Sequence, residues 1–200
     1  FAEAGDLARK HDVKVSFHPG QFTVLASDTP DIVDRSIDEF EYHVNMARWM
    51  GFGKSFQDGC KINVHISGRQ GPAGIIKAIP RLSPEARNLL TIENDEMGWG
   101  LESSLELEKH CALVLDIHHH WVRTGEYIQA NDDRVKRVVD SWRGVRPTMH
   151  YSYSRDEWLT PAYPNAEDMH KGFHDMETLL SKGCKKQKLR AHSELLPNRA

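Results

Sequence analysis

The sequence has 200 residues, of which 39% are hydrophobic and 28% are charged, as is typical of a folded domain rather than a disordered or membrane-embedded chain. Its three widely spaced cysteines argue against a disulfide-stabilised secreted module and favour the reducing cytoplasm. The net charge of −3 gives no general attraction for nucleic acid, an objection that weakens if the protein holds divalent cations. No apolar run approaches the roughly 20 residues that span a bilayer, so no membrane partner is expected.

Short β-rich runs alternate with amphipathic stretches along the whole chain. Proline at position 30 suits the first turn of a helix, and Pro80 should end or kink the helix that contains it. Residues 153–165 are predicted to form an inserted loop. In chain order the predicted elements are helix 2–11, strand 13–18, helix 31–50, strand 61–66, helix 71–82, strand 89–93, helix 101–110, strand 112–117, helix 134–142, strand 148–152, helix 166–182 and a candidate sixth strand 189–192.

This alternation of strands and helices predicts an α/β fold with a parallel sheet and helical crossovers. An open nucleotide-binding sheet normally carries a glycine-rich phosphate turn after a strand, and the sequence contains neither GxGxxG nor GxxxxGK[ST]. We therefore expect a (β/α)8 TIM-type barrel. Because a full barrel needs about 250 residues, the chain should supply five to six βα units of a single domain over residues 1–200, truncated at one or both ends.

Candidate metal ligands stand at or just after the ends of the predicted strands. The carboxyl ends of parallel barrel strands meet at one rim, so these side chains should converge although they are far apart in sequence. Imidazole and carboxylate together suit divalent ions, and paired ions suit attack on a phosphodiester. In the run 118–120 only some histidines can face the rim, and His170 and His174 compete with the last position. The predicted ligands are His18, His65, Glu93, Asp116, His119, His150 and His192.

Six segments of the sequence resemble the UV damage endonuclease family, which is akin to endonuclease IV and the sugar-isomerase barrels. The first and fourth segments are the most specific. The resemblance covers nearly the whole chain and implies a TIM-type barrel. The segments are FHPGQFTVLAS at 17–27, NVHISG at 63–68, IENDE at 92–96, LDIHHH at 115–120, HYS at 150–152 and RAHSE at 190–194.

The resemblance implies a metal-dependent DNA repair endonuclease that nicks UV-damaged double-stranded DNA immediately 5′ of photoproducts. It implies two to three divalent ions, with Mn²⁺ favoured over Zn²⁺ or Mg²⁺. Residues Gln21 and Phe22 match a pair that wedges into the duplex beside the lesion. Residues Glu93, Asp116 and His150 are the expected catalytic set.

Within the implied metal cluster, each ion has its own expected ligands. His18 and His65 look like ligands of one ion, and Glu93 looks like a carboxylate shared with a second. The remaining assignments are Asp116 and His150 for the second ion, and His119 and His192 for a third.

Two other functions remain open at this stage. A sugar isomerase or epimerase could use the same barrel and paired ions, although the histidine-rich set and the Gln21-Phe22 pair disfavour it. A non-catalytic fragment could bind lesions without cutting DNA. We expect a cytoplasmic protein associated with DNA, with a monomer as the favoured state.

Overall fold

The computed structural model of the chain describes residues 1–152. The predicted loop 153–165, helix 166–182 and strand 189–192 lie outside the described residues. So do His170, His174 and His192. Residues Phe1–Tyr151 form one compact unit, and the described site residues belong to it.

Within residues 1–152, five parallel strands form one sheet in the order of the chain, and the sheet curls into a half-barrel. Neighbouring strands are joined by helices, which is the connection that parallel strands require. The prediction of an incomplete α/β barrel is therefore confirmed. The strands are β1 (Ser16–Phe17), β2 (Lys61–His65), β3 (Leu90–Glu93), β4 (Ala112–Asp116) and β5 (Met149–His150).

Helices precede β1 and fill each crossover. The longest, α2, starts at Pro30 and buries Phe40, Val44 and Ala47, whose helical spacing makes one apolar stripe. Burying a side chain such as Phe40 contributes about 1.5–3 kcal/mol, so this stripe holds the helix on the sheet. The helices are α1 (Ala2–Lys10), α2 (Pro30–Trp49), α3 (Gly71–Ala78), α4 (Pro84–Leu89), α5 (Leu101–Leu105), α6 (Ile117–Thr124) and α7 (Asp133–Ser141).

Several elements differ from their predicted bounds. Strand β1 begins only at Ser16, because Val13 is exposed and lies outside the sheet. Helix α5 ends at Leu105, five residues early. The two short helices α4 and α6 were not predicted. Helix α4 follows an N-cap in which the Ser83 hydroxyl accepts from the backbone N–H of Ala86 (3.1 Å), and α6 follows an aspartate cap described below.

Other features follow the sequence pattern closely. Helix α3 ends before Pro80, and the chain continues in a short 3-10 turn at Ile79–Arg81. Every residue of β4 is buried, as its continuous apolar run indicates. The indole of Trp142 is also fully buried and donates to the Leu113 carbonyl (2.6 Å). Within residues 1–152, no helix combines the length and the apolar character that crossing a membrane requires.

Candidate metal centre

The carboxyl ends of the strands bring the predicted ligands among residues 1–152 together. His65 on β2 pairs in register with Glu93 on β3, and Asp116 on β4 pairs with His150 on β5. His18 follows the last residue of β1 directly. Because all five strands run parallel, these side chains gather at one end of the half-barrel.

Glu93 lies at the centre of this cluster and is only 1% exposed. Its Oε2 faces His18 Nε2 (3.4 Å) and His65 Nε2 (3.9 Å). Its Oε1 faces His150 Nδ1 (2.9 Å), which is also 3.5 Å from Asp116 Oδ2. The ligand atoms therefore form two groups of three that share one carboxylate: His18, His65 and Glu93, and Glu93, Asp116 and His150.

The cluster is electrostatically unusual because it surrounds a buried carboxylate with imidazoles. Burial by itself raises the pKa of Glu93, but hydrogen bonds from His150 and His18 outweigh it and hold that pKa well below its usual range. Burial likewise raises the pKa of Asp116, and its contact with His150 reverses the shift, so the net pKa is lowered. Hydrogen bonds to Asp116 and Glu93 raise the pKa of His150 to about 10. At neutral pH the protonated imidazole of His150 thus offsets part of the carboxylate charge.

A divalent ion fits the same arrangement chemically. Ligands bound at about 2.1 Å in an octahedral shell lie about 3–4 Å from one another. The contacts from Glu93 to the imidazoles of His18, His65 and His150 span 2.9–3.9 Å. His18 Nδ1 donates to the carbonyl of Pro19 (3.0 Å), which leaves its Nε2 directed at the cluster, as metal-bound histidines usually require.

Only the middle histidine of the run 118–120 faces the cluster. Asp116 caps α6 by accepting from the backbone N–H of His119 (2.9 Å). His119 Nδ1 donates to the Asn94 carbonyl (2.9 Å), and its Nε2 lies 3.4 Å from Glu96 Oε2, a buried oxygen for which residues 1–152 supply no hydrogen-bond partner. His119 is therefore adjacent to the two groups but a member of neither.

The other two histidines of the run point elsewhere. His118 stacks on Trp121 at a ring separation of 5.9 Å. His120 is buried beside Glu126, with 3.5 Å between its Nε2 and the nearer carboxylate oxygen.

The predicted DNA-contacting pair lies on the loop that follows β1. Gln21 is exposed, and Phe22 is 85% exposed. A core position for Phe22 is therefore excluded. The loop leaves the same end of the sheet as His18, so the phenyl ring is carried on the rim that holds the cluster.

Two buried amides next to the cluster were missed by the sequence reasoning. Asn63 donates to Glu93 Oε2, and the side chain of Asn94 forms two hydrogen bonds with the backbone of Asp116. The position of Asn63 could have been noticed, because it stands two residues before His65 and alternate residues of a strand share a face.

Comparison with known proteins identifies the family of this half-barrel. The family described as "UV-endonuclease UvdE" matches residues 1–195. The chain belongs to the UvdE family. Among its relatives, the UV DNA damage endonuclease of Bacillus pumilus is 31% identical over 180 residues, covering 84% of this chain and 54% of that protein. The UV-damage endonuclease of Neurospora crassa is 29% identical and covers 80% of this chain and 27% of that protein.

Solved structures agree with the assignment to the UvdE family. SacUVDE superposes with a TM-score of 0.65 at 27% identity, covering 76% of this chain and 52% of that one. Endonuclease IV from Thermus thermophilus superposes with a TM-score of 0.54 at 13% identity, covering 90% of this chain and 81% of that one, and so supports the fold alone. The chain spans about half the length of the Bacillus pumilus relative, and about half of SacUVDE.

Proposed function

We propose that the chain is a metal-dependent DNA repair endonuclease that nicks UV-damaged duplex DNA immediately 5′ of the lesion. Membership of the UvdE family supports the substrate. The observation that carries the metal dependence is the pair of ligand groups that share Glu93, with one carboxylate oxygen turned to each group. Shared carboxylates of this kind are typical of sites that hold two ions for phosphodiester hydrolysis.

The protein's part in the reaction is to hold ions and DNA in place. Bound ions would lower the pKa of an attacking water and stabilise the leaving 3′ oxygen. Glu93 and Asp116 supply the negative charge that retains the ions, and His150 supplies a nitrogen ligand to the second group. Imidazole together with carboxylate favours Mn²⁺ or Zn²⁺ over Mg²⁺.

A third ion position is part of the proposal. His119 Nε2 faces Glu96 Oε2 at 3.4 Å and Asp116 Oδ2 at 3.9 Å. Its Nδ1 is held by a backbone carbonyl, which is how metal-bound imidazoles are usually oriented. His192, the other ligand expected at that ion, lies outside the described residues.

The exposed loop after β1 supports the role in lesion recognition. An aromatic ring inserted into the duplex replaces base stacking that is lost when damaged bases leave the helix. Phe22 has the exposure that such insertion requires, and the Gln21 amide beside it can hydrogen-bond to base edges.

The test is nicking of supercoiled plasmid by the 200-residue chain with added Mn²⁺. We expect nicks in UV-irradiated plasmid, few in unirradiated plasmid and none with EDTA. Replacement of Phe22 by alanine should lower nicking of irradiated plasmid about 10-fold, from the loss of about 1–3 kcal/mol of base–aromatic stacking. The matched control is Trp49→Ala, since Trp49 is 57% exposed at the far end of α2.

Two other outcomes would overturn the proposal. Binding of irradiated plasmid without nicking, with Mn²⁺ present, would favour a non-catalytic lesion-binding fragment. Nicking that continues undiminished in EDTA would show that the reaction does not require bound metal ions.

A further inference from the structure

One layer below the ligand cluster, a second pair of side chains lines the inside of the half-barrel. Asn63 and Thr91 are register partners on β2 and β3, just as His65 and Glu93 are two residues later. Alternate residues of a strand share a face, so Asn63 and Thr91 lie on the same face as the ligands. Both side chains are buried.

The hydrogen bonds of this layer fix the orientation of the Asn63 amide. Thr91 Oγ1 donates to Asn63 Oδ1 (3.0 Å), and Asn63 Nδ2 donates to Glu93 Oε2. If the amide were flipped, its oxygen would face the Glu93 carboxylate, and two acceptors would oppose each other in a buried place. Buried groups left without a hydrogen-bond partner in this way are strongly disfavoured. The chain of donors therefore runs in one direction, from Thr91 through Asn63 to Glu93.

The plane of the Glu93 carboxylate needs such an outside constraint. The last torsion of a glutamate side chain is broad and roughly two-fold, so the side chain does not set the plane of its own carboxylate. Within the described residues, Asn63 contributes a neutral hydrogen-bond donor to Oε2 from a buried position. Unlike the imidazoles around Glu93, this amide keeps its donor protons when a cation displaces protons from the cluster.

We propose that Asn63 is a positioning residue that fixes the rotation of the Glu93 carboxylate. The constraint keeps Oε2 turned to His18 and His65 and keeps Oε1 turned to Asp116 and His150, so that one carboxylate serves two ions. Thr91 acts one step further back, by holding the amide of Asn63. The inference rests on the proposed function, because it assigns Asn63 a part in the same metal centre.

The decisive variant is Asn63→Leu, which keeps the branched shape of the side chain and removes the donor. Alanine is less suitable, because Asn63 lines a cavity of about 70 Å³ in which a water molecule could replace the amide. Thr91→Val is a milder second variant that removes only the hydroxyl. The matched control is Asn88→Leu, since the Asn88 amide donates to the Gly53 carbonyl (3.0 Å) away from the cluster.

The measurements are Mn²⁺ binding to the full chain, followed by calorimetry, and the electron paramagnetic resonance spectrum of the loaded protein. Two Mn²⁺ ions bridged by a carboxylate are spin-coupled, and separate ions are not. We expect Asn63→Leu to weaken binding of one Mn²⁺ by about 10–100-fold, as the loss of an outer partner of a ligand usually does, and to diminish the coupled signal. Thr91→Val should act in the same direction by a few fold, and Asn88→Leu should leave both measurements unchanged.

The outcomes separate this inference from the proposed function. A coupled signal of wild-type strength in folded Asn63→Leu would overturn the positioning role while leaving the metal centre intact. If Asn63→Leu does not fold, an unchanged signal and affinity in Thr91→Val would overturn it instead. Absence of any coupled Mn²⁺ pair in the wild-type chain would overturn the proposed metal centre, and the inference with it.

Discussion

Replacement of Glu93 by glutamine is the most informative single change in the metal centre. The amide has the same shape as the carboxylate but no charge, and one of its two oxygens becomes an NH2 donor. Because Asn63 Nδ2 donates to this side chain, the remaining oxygen of the glutamine should stay turned toward Asn63. The NH2 group must then face Asp116 and His150, where it cannot bind a cation.

The expected loss of Mn²⁺ affinity follows from the number of ligand groups to which Glu93 contributes. Losing an outer partner of a metal ligand usually costs about 10–100-fold in affinity. Glu93 contributes directly to both ligand groups, so Glu93→Gln should weaken Mn²⁺ binding at the Asp116 and His150 group by more than about 100-fold. That is roughly 2.7 kcal/mol. The His18 and His65 group keeps a neutral oxygen and should lose less.

Calorimetric titration with Mn²⁺ measures both affinities in one experiment. The wild-type chain should bind at least two ions, and Glu93→Gln should bind one weakly and lose nicking of irradiated plasmid. Glu108→Gln is the matched control, because Glu108 pairs with Arg137 (2.7 Å) away from the cluster. Two Mn²⁺ ions bound to Glu93→Gln with wild-type affinity would refute the shared-carboxylate arrangement.

Three further predictions concern the metal-free protein. Contacts with Asp116 and Glu93 raise the pKa of His150 from 6.5 to about 10. The protonated imidazole therefore stabilises the fold fully below pH 6.5, and this contribution is lost as the pH rises toward 10. In EDTA, the difference in Tm between the wild type and His150→Gln should shrink across that pH range, and a constant difference would contradict the prediction. Asn94→Leu removes the two hydrogen bonds that the Asn94 amide makes with the backbone N–H and C=O of Asp116, at 2.8 and 3.0 Å. This change should lower the free energy of unfolding in urea by about 2–4 kcal/mol. A loss below about 0.5 kcal/mol would show that these two hydrogen bonds do not stabilise the fold. Burial lowers the pKa of Lys61 to about 8, a cost of about 3 kcal/mol at neutral pH. At this residue the unfolded chain binds more protons between pH 8 and 10.5, so the urea stability of the wild type relative to Lys61→Met should rise with pH across that range. A difference that stays constant with pH would contradict the burial of a charged Lys61.

The sequence pattern was sufficient for the half-barrel and for the convergence of ligands at one rim. Strand β4 reads as a continuous apolar run, and Glu93 and Asp116 stand at the ends of their strands. Both signals are local, since they depend on what each residue can bury and on the rule that parallel strands end at one edge. Recognition of the family motifs then supplied the expected chemistry.

Features that depend on partners distant in the chain were not predictable in this way. Val13 is a residue type that favours strands, yet it is exposed and lies outside the sheet.

Which histidine of the run faces the cluster depends on the phase of α6, and that phase is set by the Asp116 cap on His119. Asp116 lies only three residues before His119, and such an aspartate is a recognisable capping signal, so this choice is a local one, and His119 was the predicted ligand of the run.

The hydrogen bonds of the buried amides are the clearest case of information that only the packed structure supplies. In the sequence, nothing distinguishes Asn63 from any other polar residue of a strand such as KINVH. Its importance arises because Thr91 and Glu93 come from another strand and leave its amide a single satisfied orientation. Neither spacing nor composition records that pairing between two strands.

The most direct test of the account is anomalous scattering from crystals of the full chain grown with Mn²⁺. We predict at least two peaks about 3.5–4 Å apart, one bound by His18 and His65 and the other by Asp116 and His150, with Glu93 between them. A single peak, or peaks that lie away from Glu93, would show that this carboxylate does not join two ion sites.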